Sequence, residues 1–455
     1  MESSQKHLPQ NKKEDDEGAF IVTGLLRTSA ICAFALLMGC AEEDFILPGE
    51  RFDIRPQQQT VNQALPAALP AAQANADWTH RAGSAQHQIT HPALSATPQL
   101  LFSANVGEGD SLRARITADP VIENGVIYTL DARANVTATA VNGAMVWTRN
   151  LTPGGDGAQD ASGGGVAVSN GRVFATTGFG EVVMLDAATG AEIWTQDLDA
   201  PGASAPTVFG ELAYVVGRDG TGWALEVENG RIRWQVSATP TVGSFSGGAG
   251  VAVDGDIAIF PFPSGEVVAL FPQGGLRRWS TVVSGARLGS AAATLADIAG
   301  DPVIDGSRVY IGNFAGQIVA LDASSGERIW TTQDGAVSPV WPAGNSIYAV
   351  NDVNELVRLS KDDGAPVWRV SLPGLVDGAG GFLRTSNEVV AHYGPILAGG
   401  RLLVASSDGL IRQFDPVSGG LVGTVAVPGG AASNPIVAGQ TLYVVSKTGQ
   451  LHAFR

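Results

Sequence analysis

Asp301-Pro302-Val303-Ile304-Asp305-Gly306, then Arg308-Val309-Tyr310-Ile311-Gly312, then Gly316-Gln317-Ile318-Val319-Ala320-Leu321-Asp322, and finally Gly326-Glu327-Arg328-Ile329-Trp330: this stretch decides the fold. Three short apolar runs are separated by Gly-bearing turns of the kind that join antiparallel strands, and the run ending in Trp330 is a fourth. One such passage therefore encodes one four-stranded antiparallel sheet.

The passage recurs. Gly143-Ala144-Met145-Val146-Trp147, Gly190-Ala191-Glu192-Ile193-Trp194, Gly230-Arg231-Ile232-Arg233-Trp234, Gly275-Leu276-Arg277-Arg278-Trp279, Gly326 to Trp330 and Gly364-Ala365-Pro366-Val367-Trp368 place six tryptophans 47, 40, 45, 51 and 38 residues apart. Gly420-Leu421-Val422-Gly423-Thr424 reads as a degenerate seventh copy that has lost its aromatic. Four strands repeated every 40 to 50 residues mark a β-propeller blade. No window past residue 40 sustains a helical period with capping signals.

The text of the first strand in each unit begins near Asp119, Gly165, Ala205, Gly250, Asp301, Ser338, Gly394 and Asn434. The eighth copy stops after three strands, at Leu451-His452-Ala453-Phe454-Arg455, and an orphan strand, Pro98 to Ala104, lies ahead of the first. The expectation is an all-β, eight-bladed β-propeller of four-stranded antiparallel blades over residues 78–455, closed by a strand near 98–104 from the other end of the chain. Closure of this kind removes an open sheet edge. A seven-bladed ring is the alternative. The repeated tryptophans are expected to pack between blades: burying about 150–250 Å² of aromatic surface at ~25 cal/mol per Å² contributes several kcal/mol at each interface.

Upstream, Leu37-Met38-Gly39-Cys40 closes an apolar run of about eleven residues, Thr28 to Met38, too short to span a bilayer, which takes roughly 20. Arg27 precedes it, and polar Ala41-Glu42-Glu43-Asp44 follows. This resembles a bacterial lipoprotein signal, which implies a signal segment over residues 1–39 and lipidation of Cys40. Ala41, in place of Asp at the second mature position, points to the outer membrane. The acidic run Glu14-Asp15-Asp16-Glu17 is foreign to a signal and leaves the start at Met1 open, with Val22 as an alternative. Residues 40–77, with Ala64-Leu65-Pro66-Ala67-Ala68-Leu69-Pro70, read as a flexible linker. Cys32 lies within the signal, so the mature chain keeps no thiol for a disulfide or a Cys-based metal site.

A net charge of −16 argues against nucleic acid and anionic lipid as partners, because phosphate binding needs clustered Lys and Arg. His80, His87 and His91 are close in sequence, yet without Cys or a His-Glu-x-x-His helix they read as part of a solvated segment and not as a zinc site. Gly243-Ser244-Phe245-Ser246-Gly247 has Phe245 where a nucleophile elbow needs Ser. No catalytic residues, metal site or cofactor are expected.

The Gly-x-x-x-Trp repeat, with text such as Ala320-Leu321-Asp322-Ala323 before it, resembles the quinoprotein-type (PQQ-like) propeller superfamily over residues 98–455. Its dehydrogenase branch uses a quinone over a Glu/Asn/Asp calcium site, a catalytic Asp and often a vicinal Cys pair or a Cys-x-x-Cys-His haem motif; the mature chain has neither Cys element. The whole layout, a lipobox, a short spacer and a compact ring, resembles the BamB-type assembly lipoproteins more closely. That resemblance implies a non-enzymatic scaffold of the β-barrel assembly machinery, anchored by lipid at the periplasmic face of the outer membrane and holding BamA-like POTRA domains. The alternative is a quinoprotein-like dehydrogenase or another ligand-binding periplasmic propeller.

In the BamB-type family the partner surface is built from loops at one face of the ring. The matching stretch here runs from Arg287-Leu288-Gly289-Ser290 to Thr294-Leu295-Ala296-Asp297-Ile298-Ala299-Gly300, where Asp297 matches the first of two family acids and Ala299 replaces the second; one blade earlier, Ser244 and Phe245 stand where the family has a basic-apolar loop without supplying its Arg. The expected partner-binding set is Arg287, Leu288, Leu295, Asp297, Ile298, Ser244 and Phe245. A second reading leaves Leu288, Leu295 and Ile298 as cover for a blade edge. The connection Ser371 to Tyr393 is the other long one.

Overall fold

The computed structural model describes residues 62–88, 91–158, 162–200, 204–240, 248–283, 285, 297–377 and 387–455. These form eight four-stranded antiparallel sheets arranged as an eight-bladed propeller. In blade 1, β2 (Val121–Glu123), β3 (Val126–Leu130), β4 (Asn135–Ala140) and β5 (Met145–Asn150) lie side by side in chain order from axis to rim. Six further blades repeat that order, through residues 164–197, 207–237, 252–282, 303–332, 341–371 and 392–426. Blade 8 takes three strands from residues 436–454 and its outer strand, β1 (Leu100–Asn105), from the other end of the chain, Ser103 pairing with His452 and Ala104 with Leu451. The expected closure is found.

The three inner strands of each blade are apolar on both faces because both faces are covered by neighbouring blades. Period-2 alternation divides their side chains between two seams. In blade 1, Val121, Tyr128, Val136 and Ala138 pack against Val166, Val173 and Val183 of blade 2, whereas Ile122 and Ile127 turn toward blade 8. Outer strands are exposed except at every second position. The register of each outer strand shifts by one residue at the position carrying the aromatic, as between Met184 and Leu185 opposite Trp194 or Ala320 and Leu321 opposite Trp330. A bulge of this sort bends the outer strand locally.

The tryptophans sit at the seams as expected. Trp147 packs on Tyr128 of its own blade, with ring centroids 6.0 Å apart, and its indole N–H donates to Ala187 O of blade 2 at 3.0 Å. Trp194, Trp234, Trp279, Trp330 and Trp368 donate likewise to Val227, Pro272, Ala323, Lys361 and Pro416 of the next blade. The glycine of each unit lies over the tryptophan of the preceding blade: a Cβ on Gly190 would stand 2.6 Å from the Trp147 ring, and its φ of +70° is also one that glycine adopts freely. The seventh copy is framed one residue earlier than its sequence suggested. Gly419, not Gly420, lies over Trp368, so the aromatic position of blade 7 is Gly423, paired with Gln413.

The expected linker over residues 40–77 and the solvated segment after it are corrected by the described residues from 62 onward, which are strapped onto the ring. Their partners are backbone groups of the ring together with side chains such as Arg358 and Asn345, and their composition could not reveal such contacts.

Candidate functional site

In an up-and-down blade, the turns joining first to second and third to fourth strands emerge at one end of the ring. The second-to-third turns and the blade-to-blade connections emerge at the other. The two ends differ completely.

At the first end the strap, residues 62–88 and 91–97, crosses the axis. The innermost strand of a blade is a sheet edge with an unpaired N–H row, and such groups cost free energy when buried without a partner. The strap supplies acceptors. Ile122 N and Trp78 N exchange hydrogen bonds with each other's carbonyls at 2.8 Å, Val168 N donates to Thr79 O, Val208 N to His80 Nε2, Val253 N to Ala85 O and Ile304 N to Gln86 O. These are register-equivalent positions in blades 1 to 5, pairing with Ile127, Val173, Ala213, Ala258 and Val309. The equivalent in blade 6 is Pro342, which pairs with Ile347 and has no N–H to satisfy. There the strap contributes Trp78 instead, stacked on Trp341 with centroids 6.3 Å apart. Blade 7 donates Gly399 N to Pro92 O and Gly400 N to His91 Nε2. Blade 8 exchanges bonds with Asn75 through Val437 O and Gly439 N. One segment thus touches all eight blades.

Buried charge fixes the strap further. The Arg358 guanidinium, inside blade 6, donates to Leu65 O, Pro66 O, Val417 O and Ser346 Oγ. Arg81 lies near the axis, its Nε 3.2 Å from Asp119 and its Nη1 3.1 Å from Asp301. Asp119 leads into blade 1 and Asp301 into blade 5, so one side chain ties opposite sides of the ring. Burial disfavours the Arg81 charge, but Asp301 and Asp119 outweigh it and hold its pKa above the ordinary value. Burial also pushes the Asp119 carboxyl up, against the pull of Arg81 and Asn434. Asp119 accepts from both the backbone and the side-chain N–H of Asn434, and Asn434 Oδ1 accepts from Gly394 N and Ser338 Oγ. Several first-strand starts read from the repeat, Asp119, Gly250, Asp301, Ser338, Gly394 and Asn434, are thereby joined around one axis, with Gly250 N donating to Asp301 Oδ1.

At the other end a cavity of about 700 Å³ opens above Arg81 and Asp119, lined also by Arg115, Phe314, Asn351, Asp352, Val389 and Tyr393. Beside it the blade 6 to blade 7 connection forms a two-stranded hairpin, Leu375–Asp377 with Asn387–Val389, whose cross-strand pair Leu375 and Val389 is 60% and 68% exposed. Among the described residues no group of three or more His, Cys, Asp or Glu side chains is placed to hold a metal ion.

Of the residues expected to bind a partner, Cys40, Ser244, Phe245, Arg287, Leu288 and Leu295 lie outside the described residues. Asp297 and Ile298 are described and are only 4% and 1% exposed. Ile298 joins Val283, Trp279, Ile304 and Val309 in the seam between blades 4 and 5, as the edge-covering reading has it, and Asp297 O accepts from Phe314 N. Asp297 is thus the buried foot of its connection and not a rim charge. His80, His87 and His91 are also buried, a correction to the solvated segment: each places a ring nitrogen on backbone of the ring or strap. A lone histidine carries no local signal of such a contact.

The family model described as outer membrane protein assembly factor BamB matches residues 123–370 and 360–455. The protein of that name from Shewanella oneidensis is 25% identical over 372 residues, covering 79% of this chain and 90% of its own; that from Burkholderia pseudomallei is 25% identical over 360 residues, covering 78% and 88%. Among solved structures, BamB from Moraxella catarrhalis superposes with a TM-score of 0.64 at 18% identity, over 79% of this chain and all of that one. Quinohemoprotein alcohol dehydrogenase from Comamonas testosteroni follows with 0.62 at 14%, over 83% and 80%. At such identities the two superpositions speak for the ring fold alone.

Proposed function

The chain belongs to the family of outer membrane protein assembly factor BamB, and from that membership we propose that it acts as a non-enzymatic scaffold of the β-barrel assembly machinery. It holds BamA-like POTRA domains at the periplasmic face of the outer membrane, anchored by lipid on Cys40. The observation that carries this reading is the family match running through both halves of the ring. The axis supports it: the first end of the ring is filled by the chain's own strap, which leaves the end bearing the blade-to-blade connections for partners.

On that end the partner surface consists of the connections entering blades 4 and 5, with Ser244, Phe245, Arg287, Leu288 and Leu295 making contact. Asp297 and Ile298 act beneath them as the anchored foot. Tips on a rigid frame suit recognition because little order is lost on binding.

The test is affinity capture of a BamA-like protein from detergent-solubilised envelopes by the full chain, beside Leu288→Asp, Phe245→Ala and, as control, Leu375→Asp. Capture weakened tenfold or more by the first two and kept by the control is the expected result. Capture lost only with Leu375→Asp moves the surface to the hairpin, and absence of any such partner removes the proposed role. A bacterial strain carrying Cys40→Ser should release the protein from the membrane fraction.

A further inference from the structure

Two histidines of the strap, His80 and His91, hold it to the ring by accepting a backbone N–H on Nε2, which leaves no place there for a second proton. His80 Nε2 accepts the Val208 N–H at 3.0 Å, while its Nδ1 lies 2.8 Å from Thr79 Oγ1. His91 Nε2 accepts the Gly400 N–H at 2.7 Å, and its Nδ1 lies 2.8 Å from Pro70 O. A backbone N–H can only donate and a carbonyl can only accept, so His91 is the neutral tautomer with its proton on Nδ1, and the Val208 N–H requires the same of His80. His87 differs, with Nδ1 2.9 Å from Pro302 O and Nε2 3.5 Å from Thr207 Oγ1, a hydroxyl that can accept as well as donate.

We propose that the strap is a proton-linked latch, seated on the ring while His80 is neutral and released as the medium turns acidic. Protonation of His80 Nε2 would turn that acceptor into a donor facing the Val208 N–H. The charged groups near it do not compensate. His80 faces His87, which opposes a charge; His87 has Asp301 in its favour and Arg81 against it. Burial acts in the same sense, pulling His80 down to about 3 and His87 below its ordinary value.

Once the strap leaves the ring, the His80 imidazole titrates near its free value of about 6.5. The released state then binds more protons than the seated one. The seated form is favoured fully above that pH and loses up to about tenfold in population per pH unit, per imidazole, as pH falls below it. Release bares the inner-strand N–H groups of Val168, Val208, Val253 and Ile304 at the first end of the axis. This latch does not depend on who the partner is.

Hydrogen exchange of the full chain, read by mass spectrometry between pH 7.5 and 5.0 and corrected for the intrinsic rate, tests it. Peptides over residues 75–95 should lose protection by up to tenfold per unit below pH 6.5, while peptides over 181–197, which make no bond to the strap, keep theirs. The variant His80→Gln retains an acceptor that does not titrate and should flatten the response. Strap protection that is flat in wild type, or an unchanged pH response in the variant, overturns the proposal. Should the variant not fold, the ring carbon–proton NMR signals of His80 in wild type decide: ordinary titration near 6.5 with the strap still protected also overturns it.

Discussion

Six seams of the ring are sealed by tryptophan, and the two where the chain closes on itself are not. From blade 1 through blade 7 each seam repeats one device: an indole buried over the next blade's glycine with its N–H on that blade's carbonyl. Between blades 7 and 8 the aromatic position is Gly423 and the facing turn does not exist, because the outer strand of blade 8 comes from the other end of the chain. Arg401 fills the place, donating to Ser95 O, Ala96 O and Gln413 Oε1. Between blades 8 and 1, Phe102 stands in for tryptophan and packs on Gly143. The apolar clusters draw the division one seam earlier: the five seams from blade 1 to blade 6 each have their own, while blades 6, 7, 8 and 1, the Trp368 seam included, share a single cluster that includes Trp78 of the strap. A repeat can seal a seam using its own text, but a ring must also join its ends, and here the strap performs that joining.

Removing the device where it is fully developed should cost most. Trp368 is fully buried within the shared cluster, and Trp368→Ala should lower the unfolding free energy by about 3–5 kcal/mol, as large-to-small core substitutions do. Denaturant unfolding would measure it. A loss below ~1 kcal/mol would mean that the seam collapses around the gap and that the tryptophans are less than mortar.

The closure seam is predicted to be weaker and to fail differently. Arg401→Met removes donors to two strap carbonyls and should cost about 1.5–3 kcal/mol, the range for hydrogen bonds to a charged group. The effect should be concentrated in the strap exit, seen as faster exchange over residues 92–98, with blades 2 to 5 unchanged. Global destabilisation without local opening would erase the distinction between the two kinds of seam.

What the sequence made legible follows the same line. Blades, their number and the closing strand could be read because strand alternation, Gly-bearing turns and the Trp repeat are local features, repeated often enough to average out irregularities. The strap could not be read. Ala64 to Pro70 has linker composition, and what orders it is two side chains hundreds of residues away, Asn345, which bonds Pro66 O and Ala68 N, and Arg358, whose donation to Leu65 O and Pro66 O from among apolar strand neighbours is invisible in text. Pro342 was legible as a proline but not as the strap-facing register position of blade 6, which therefore needs no acceptor. For the proposed partner surface, the family resemblance pointed to a connection whose foot, Asp297 and Ile298, is buried structure; a charge in a loop does not by itself reveal whether it faces water.

The smallest effect is expected where the two kinds of seam are most alike. Phe102 occupies the tryptophan position of blade 8, and the tempting variant is Phe102→Trp. The turn it meets is one residue shorter than the others: Thr139 pairs with Met145 across it, six positions apart, whereas Leu185 pairs with Glu192 and Leu321 with Arg328, each seven apart. The carbonyl that would receive the indole N–H is therefore displaced, and the larger ring enters a site where Gly143 already sits close to Phe102. An unpaired buried N–H and crowding both oppose the added apolar area, so the substitution should destabilise by about 1 kcal/mol. Lengthening the turn by one residue after Val141, in the same variant, should recover the loss. A gain in stability from Phe102→Trp alone would show that the short turn still offers its carbonyl, and that phenylalanine at the closing seam is not a consequence of turn length.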